Sequence, residues 1–217
     1  MIINIHAGHN PDGKIACGAV KLIKESTEAR KVTEILIQKL KSRGHTVYDC
    51  TVNDGISQSD VLSKIVKKEN ANRADLDVSI HFNAGGGEGV EVYCYNDKSA
   101  AIPYATKICE EVAKLGYKNR GVKFRSSLYV LRYSHNPALL IECCFVDSSN
   151  DVARYNAETM ANAIANAIAP AFDITPRKNK VYAVQVGAFS NKDNALNLIE
   201  ELTAKGYIPF LVEKEVN

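Results

Sequence analysis

"DVSIHFNAGGGEG", residues 77–89, is the stretch on which the reading of the fold turns. Val78, Ile80 and Phe82 alternate with Ser79, His81 and Asn83, the two-residue period of a β-strand, and the glycine run then stops it. One face of this strand asks for an apolar core. The other carries a hydroxyl, an imidazole and a carboxamide, side chains that need polar partners or a cleft.

Similar strands lie on both sides of it. "MIINIHA" (1–7) reads as a buried strand and "HTVYDCTV" (45–52) as a second. "GVEVYCY" (89–95) makes a fourth, while "LYVLR" (128–132) and "ALLIECCFV" (138–146) read as short strands about a turn at Asn136-Pro137. Between them, Val32, Ile35, Leu36 and Leu40 recur at helical spacing from Ser26 to about Arg43, and Gly44 ends the run. Further helices are expected over 59–70, 99–115 and from Ser149 to Ala169. Alternating strands and helices predict an α/β domain: a mixed, mostly parallel sheet flanked by helices on both faces. In such sheets sites collect at the carboxyl ends of the strands.

After Phe172 the pattern changes. "DITPRKNK" (173–180) is a polar linker, and residues 181–217 read as one small βαβ unit whose helix buries Ala195, Leu198, Ile199 and Leu202. The domains expected are therefore 1–172, the linker 173–180, and 181–217. A unit of 37 residues cannot bury a full core, so docking or dimerisation through it is expected.

Composition narrows the function classes. The 217 residues are 46% hydrophobic and 24% charged, with a net charge of +2, which gives no basic footprint for nucleic acid. No apolar run is long enough to insert in a membrane. "MIINIHAGHN" lacks the basic and apolar regions of a secretory signal, so synthesis in the cytoplasm without a signal peptide is expected. The six cysteines contain no C-x-x-C pair and fit reduced thiols better than a disulfide framework.

Three residues stand out. His9 follows the first strand in a turn between Gly8 and Gly13, and His81 lies near the end of its strand. Glu142 interrupts the apolar "ALLIECCFV", where a lone carboxylate is costly unless it is used. Each alone could be an ordinary packed or solvated residue. Together they fall at strand ends, and two histidines with a carboxylate are a common set for Zn²⁺ with one position open to water.

In order and spacing, "HAGHNPDG", "KESTEARKVTEILIQKLKSRGHTV", "SIHFNA", "NRGVKFRSSLYVLR" and "ALLIECCFVDSSND" resemble the zinc-dependent N-acetylmuramoyl-L-alanine amidases of the amidase-3 type, over about residues 1–170. The resemblance implies hydrolysis of the amide between N-acetylmuramic acid and L-alanine in bacterial peptidoglycan, causing cell-wall lysis. It implies Zn²⁺ held by His9, Glu25 and His81, with Glu142 as the catalytic acid/base. Glu25 is placed by counting nineteen residues back from Gly44, with Glu28 as the fallback. Asn83, on the His81 face, is a candidate for touching substrate or orienting a ligand. His6 stands where the family has Asp, and is read as packed beside the site. Cys144 stands where the family has Gly; sharing a strand face with Glu142, its thiol is expected either to approach the metal or to be a small buried residue.

The tail, through "VYAVQVGAF" and "AKGYIPFLV", resembles the first half of a SPOR domain, a peptidoglycan-binding module, with Tyr182, Gln185 and Phe189 as candidate glycan contacts. Action on the wall after release from the cell follows, as in a phage endolysin or an autolysin. Two other readings remain: a non-catalytic peptidoglycan-binding protein, and a zinc carboxypeptidase acting on stem peptides.

Overall fold

The computed structural model describes residues 1–169, 186–207 and 209–213. Six strands form one sheet in the order β2-β1-β3-β6-β4-β5. They are β1 (Ile2–Ala7), β2 (Thr46–Asp49), β3 (Leu76–Asn83), β4 (Val90–Cys94), β5 (Asn119–Phe124) and β6 (Ala138–Phe145). β1 pairs in parallel with β2 and β3, and β3 with β6. β4 runs antiparallel to β6 and parallel to the edge strand β5. The mixed, mostly parallel sheet expected from the sequence is what the chain forms.

One face packs on α1 (Glu25–Ser42), α3 (Ile102–Ala113) and α6 (Ala157–Ile168). Ile3, Ile5, Val78, Ile80, Leu139 and Ile141 meet these helices fully buried. Losing one such side chain to alanine costs about 2–5 kcal/mol, the lost transfer energy plus a cavity. The other face packs on α2 (Gln58–Asn70) and the short α4 (Tyr129–Tyr133), whose apolar contacts are few: Val61, Ile65, Val130, Leu131 and Leu140 among them. Its strand residues are instead Asn4, His6, Asp77, Ser79 and Glu91, all buried. Towards the amino ends of β1 and β3, Asn4 Nδ2 donates to Asp77 Oδ1 at 2.8 Å, and Ser134 and Asn136, from the turn before β6, also bond the Asp77 carboxylate.

Three local expectations are corrected. "LYVLR" is not a strand but contains α4, whose Val130 and Leu131 turn onto α2; an apolar run this short fits either period. "NRGVKF", not anticipated as a strand, forms β5; its basic, half-exposed residues suit a sheet edge, where charge discourages pairing with other chains. The long helix expected from Ser149 is two, α5 (Ser149–Arg154) and α6. Tyr155 is extended and Asn156 caps the second by accepting from Thr159 N.

The chain divides into two units, Met1–Asp173 and Ile174–Asn217. In the second, α7 (Lys192–Ala204) is capped by Asn191. Ala195, Leu198, Ile199 and Leu202 are its more covered residues, as the helical spacing predicts, though none is fully buried. The expected first strand lies largely at 181–185, outside the described residues, as do Tyr182 and Gln185. Residues 186–189 and 209–213 have no regular structure, so among the described residues the βαβ unit is represented by its helix. No helix among the described residues is long and apolar enough to cross a membrane.

Candidate active site

Three side chains meet at one point, from the turn after β1, the start of α1 and β3. β1 ends at Ala7, and Gly8 N still donates to Ile80 O at 2.8 Å, so the following turn starts in register with β3. His9 then takes a left-handed backbone, φ 65°. For a residue other than glycine this is a strained state, costing on the order of 1–3 kcal/mol, and such strain concentrates at functional sites. Two glycines make the space: a β-carbon on Gly8 would come within 2.2–2.6 Å of three His81 ring atoms, and one on Gly18 would strike the Glu25 carboxylate and the His9 ring.

Glu25 opens α1. Its Oε2 accepts from Ala19 N at 2.8 Å, and its Oε1 from Phe82 N at 3.3 Å. The same Oε1 lies 3.0 Å from His81 Nδ1 and 3.1 Å from His9 Nε2. The two imidazoles meet edge to face with centroids 4.8 Å apart. His9, Glu25 and His81 each offer one ligand atom, and these atoms lie within 4.8 Å of one another. Burial alone would raise the Glu25 carboxyl, but hydrogen bonds from His81 and His9 outweigh it and hold the group well below the usual carboxylate range. Burial lowers the pKa of His81, favouring the neutral ring whose lone pair a metal needs. An anionic carboxylate and two imidazoles converging on one point fit a divalent metal with an open position.

Glu142 stands beside this group, the register partner of His81 across β3 and β6. Its Oε2 is buried and has no hydrogen-bond partner. Burial first, then the negative charges of Glu25 and Glu91, pushes its carboxyl up to about 8. All four residues line a cleft of about 510 Å³ at the carboxyl ends of β1 and β3, walled by Leu62, Tyr129 and Leu140.

The other expected residues divide. The fallback Glu28 is not part of the group and pairs with Lys31 at 2.8 Å. His6 reaches the floor of the cleft, but its Nε2 lies 3.3 Å from Glu69 Oε1 on α2, away from the ligand cluster. Asn83 lines the cleft and donates to Glu91 Oε1 at 2.8 Å. Cys144 does not share a face with Glu142. The register slips between His81 and Asn83, so both Cys143 and Cys144 enter the core under α1 and α6, and burial pushes the Cys144 thiol up, towards inertness.

Sequence reasoning missed Glu91. It faces Glu142 across β4 and β6 and gathers Asn83, the Tyr93 hydroxyl at 2.8 Å and Arg120 Nε at 2.6 Å. The signal was available: Glu91 interrupts the apolar "GVEVYCY" as Glu142 interrupts "ALLIECCFV".

Comparison with known proteins shows the family. The model of the N-acetylmuramoyl-L-alanine amidase family matches residues 3–173, and that of the SPOR domain matches residues 178–216. The chain is 34% identical over 166 residues to the N-acetylmuramoyl-L-alanine amidase CwlM of Bacillus licheniformis, covering 72% of this chain and 65% of that protein. It is 36% identical over 149 residues to the sporulation-specific N-acetylmuramoyl-L-alanine amidase of Bacillus subtilis, covering 65% of this chain and 58% of that one. The matches span about half to two thirds of the length of such curated relatives. Among solved structures, the catalytic domain of the CD27L endolysin targeting Clostridia difficile superposes with a TM-score of 0.71 at 27% identity, over 77% of this chain and 96% of that one. Through residues 3–173, this chain belongs to the N-acetylmuramoyl-L-alanine amidase family.

Proposed function

We propose that the chain hydrolyses the amide between N-acetylmuramic acid and L-alanine in bacterial peptidoglycan, with Zn²⁺ held by His9, Glu25 and His81. The observation that carries this is the convergence of those three donors beside Glu142, a buried carboxylate with an unpartnered oxygen. Bound there, Zn²⁺ would supply Lewis acidity, drawing electrons from the scissile carbonyl and lowering the pKa of a water at its open position. With the positive charge of the metal offsetting the burial and the Glu25 and Glu91 charges that raise its carboxyl, Glu142 takes a proton from the attacking water as the water oxygen bonds to the carbonyl carbon. The same carboxyl then protonates the L-alanine nitrogen as the C–N bond breaks, which an amide needs because its unprotonated nitrogen leaves poorly. Asn83, held by Glu91, keeps a fixed carboxamide on the cleft wall for the substrate.

Residues 1–172 form the catalytic domain in this reading, and the SPOR-like residues 181–217 hold the enzyme on the wall, by themselves or as a pair. The enzyme reaches its substrate after release from the cell.

Digestion of purified cell walls tests the reading. Wild type should release stem peptides beginning with free L-alanine and leave glycan intact, while Glu142→Ala and chelator-treated enzyme should not. Activity that survives both treatments sinks the mechanism. Binding without soluble product would identify a wall-binding protein, and release of only carboxyl-terminal residues a carboxypeptidase.

A further inference from the structure

Arg30 lies on α1, on the same helix that begins with Glu25, and its half-buried guanidinium is spent on neutral acceptors. Nη2 donates to His9 O at 2.8 Å, to Val52 O at 3.0 Å and to Asn53 Oδ1 at 2.8 Å. Nη1 donates to Ser26 O at 3.0 Å and reaches Gly8 O at 3.4 Å, and Nε donates to Asn53 Oδ1 at 3.0 Å. Partly burying a guanidinium against carbonyls is costly unless its fork of donors is filled, and here it is filled.

Two of those acceptors are the carbonyls of Gly8 and His9, the turn in which His9 sits at φ 65°. A strained backbone persists only where its surroundings over-determine it. On the far side of the turn, the Asn10 carboxamide ties it to Gly55, donating to Gly55 O at 2.7 Å and accepting from Gly55 N at 3.1 Å. The turn is therefore held between α1 and the 52–55 loop. Glu25 and His9 come from separate elements, and one side chain from the helix of the first grips the backbone of the second.

We propose that Arg30 is a positioning residue for the metal centre, fixing His9 in its left-handed turn at ligating distance from Glu25. The proposal rests on the reading of His9 as a metal ligand. Lysine cannot replace it: a single ammonium lacks the planar fork that bonds several carbonyls at once.

The test is metal affinity, measured without substrate. Metal-stripped wild type, Arg30→Lys and Asn53→Ala are titrated with Zn²⁺ against a chromophoric chelator, and the Co²⁺-loaded proteins are compared by visible absorption. Thermal melting of each metal-stripped protein reports the fold. Arg43→Lys serves as control, because Arg43 also bonds a carbonyl, Ala169 O at 2.6 Å, but at the other end of α1. Arg30→Lys should weaken Zn²⁺ binding about 10–100-fold and change the Co²⁺ spectrum. Asn53→Ala, which only frees the guanidinium, should weaken binding several-fold, and it carries the test if Arg30→Lys does not fold. Arg43→Lys should bind within twofold of wild type. Wild-type affinity in both Arg30→Lys and Asn53→Ala, or an equal loss in Arg43→Lys, overturns the proposal. A wild type that binds no Zn²⁺ overturns the metal-centre reading itself, and this proposal with it.

Discussion

The face of the sheet under α1, α3 and α6 and the face under α2 and α4 use the same six strands and carry opposite chemistry. On the first, alternate residues are Ile, Val, Leu and Cys, and the packing is dry and continuous. On the second, the same strands present Asn4, His6, Asp77, Ser79, His81, Glu91 and Glu142. Towards the amino ends of the strands, Asn4 and Asp77 hydrogen-bond each other. At the carboxyl ends His81 meets Glu25, and Glu142 Oε2 is left without a partner. The first face supplies stability; the second holds His81 and Glu142, with His9 and Glu25, in one cleft.

The sharpest way to break this contrast is to substitute neighbours on β6 that point to opposite faces. Glu142→Gln should lower the rate of wall hydrolysis about 10²–10⁴-fold while Zn²⁺ affinity stays near wild type, since the variant removes only the proton carrier. Wall digestion combined with metal titration measures both. Ile141→Ala should do the reverse, costing about 2–5 kcal/mol of stability by denaturant unfolding, with the turnover of the remaining folded enzyme little changed. If Ile141→Ala removed turnover at full stability, the division of labour between the faces would be wrong.

A smaller effect comes from pH. In the metal-stripped protein the Glu142 carboxyl sits at about 8, against an ordinary value of 4.5. The folded state thus favours the protonated form, and that contribution is complete below pH 4.5 and lost as pH rises through 8. Glu142→Gln has no proton to lose. At pH 9 it should therefore be more stable than wild type by on the order of 1–3 kcal/mol, with the difference vanishing towards pH 4.5. Glu25 acts in the opposite direction: its depressed carboxyl contributes stability above pH 4.5 that is lost as the medium becomes more acidic. Unfolding curves across that range check both signs.

The smallest effect expected is at Cys144. Cys144→Ala should cost about 1 kcal/mol and leave turnover and peroxide sensitivity as they were, because the thiol lies in the dry core. Loss of peroxide sensitivity in this variant would return Cys144 to the site.

Much of the site was legible from local pattern and from position at strand ends. A carboxylate inside "ALLIECCFV" is costly as ordinary packing, and the two histidines, each ordinary alone, stood out because they fall with it at strand ends. Glu25 was preferred over the fallback Glu28 through family spacing rather than any anomaly of its own. Glu91 carried the same anomaly as Glu142 and was passed over. Arg30 carried none, since an arginine on a helix is ordinary until its acceptors are seen.

Periodicity and composition were thus enough for the α/β class, most strand and helix positions and the apolar face, because burial acts on each residue through its own side chain and repeats at the period of its element. Register slip, α4 and the Arg30 clamp arise elsewhere. The slip that moves Cys144 off the Glu142 face is a property of β6 paired with β3, and the short "LYVLR" segment is helical because α2 offers Val130 and Leu131 a surface. The turn at His9 is held by carbonyls and donors brought together from 21 to 45 positions apart in the chain. Such interactions are set by which elements meet, and no window along the chain contains both partners.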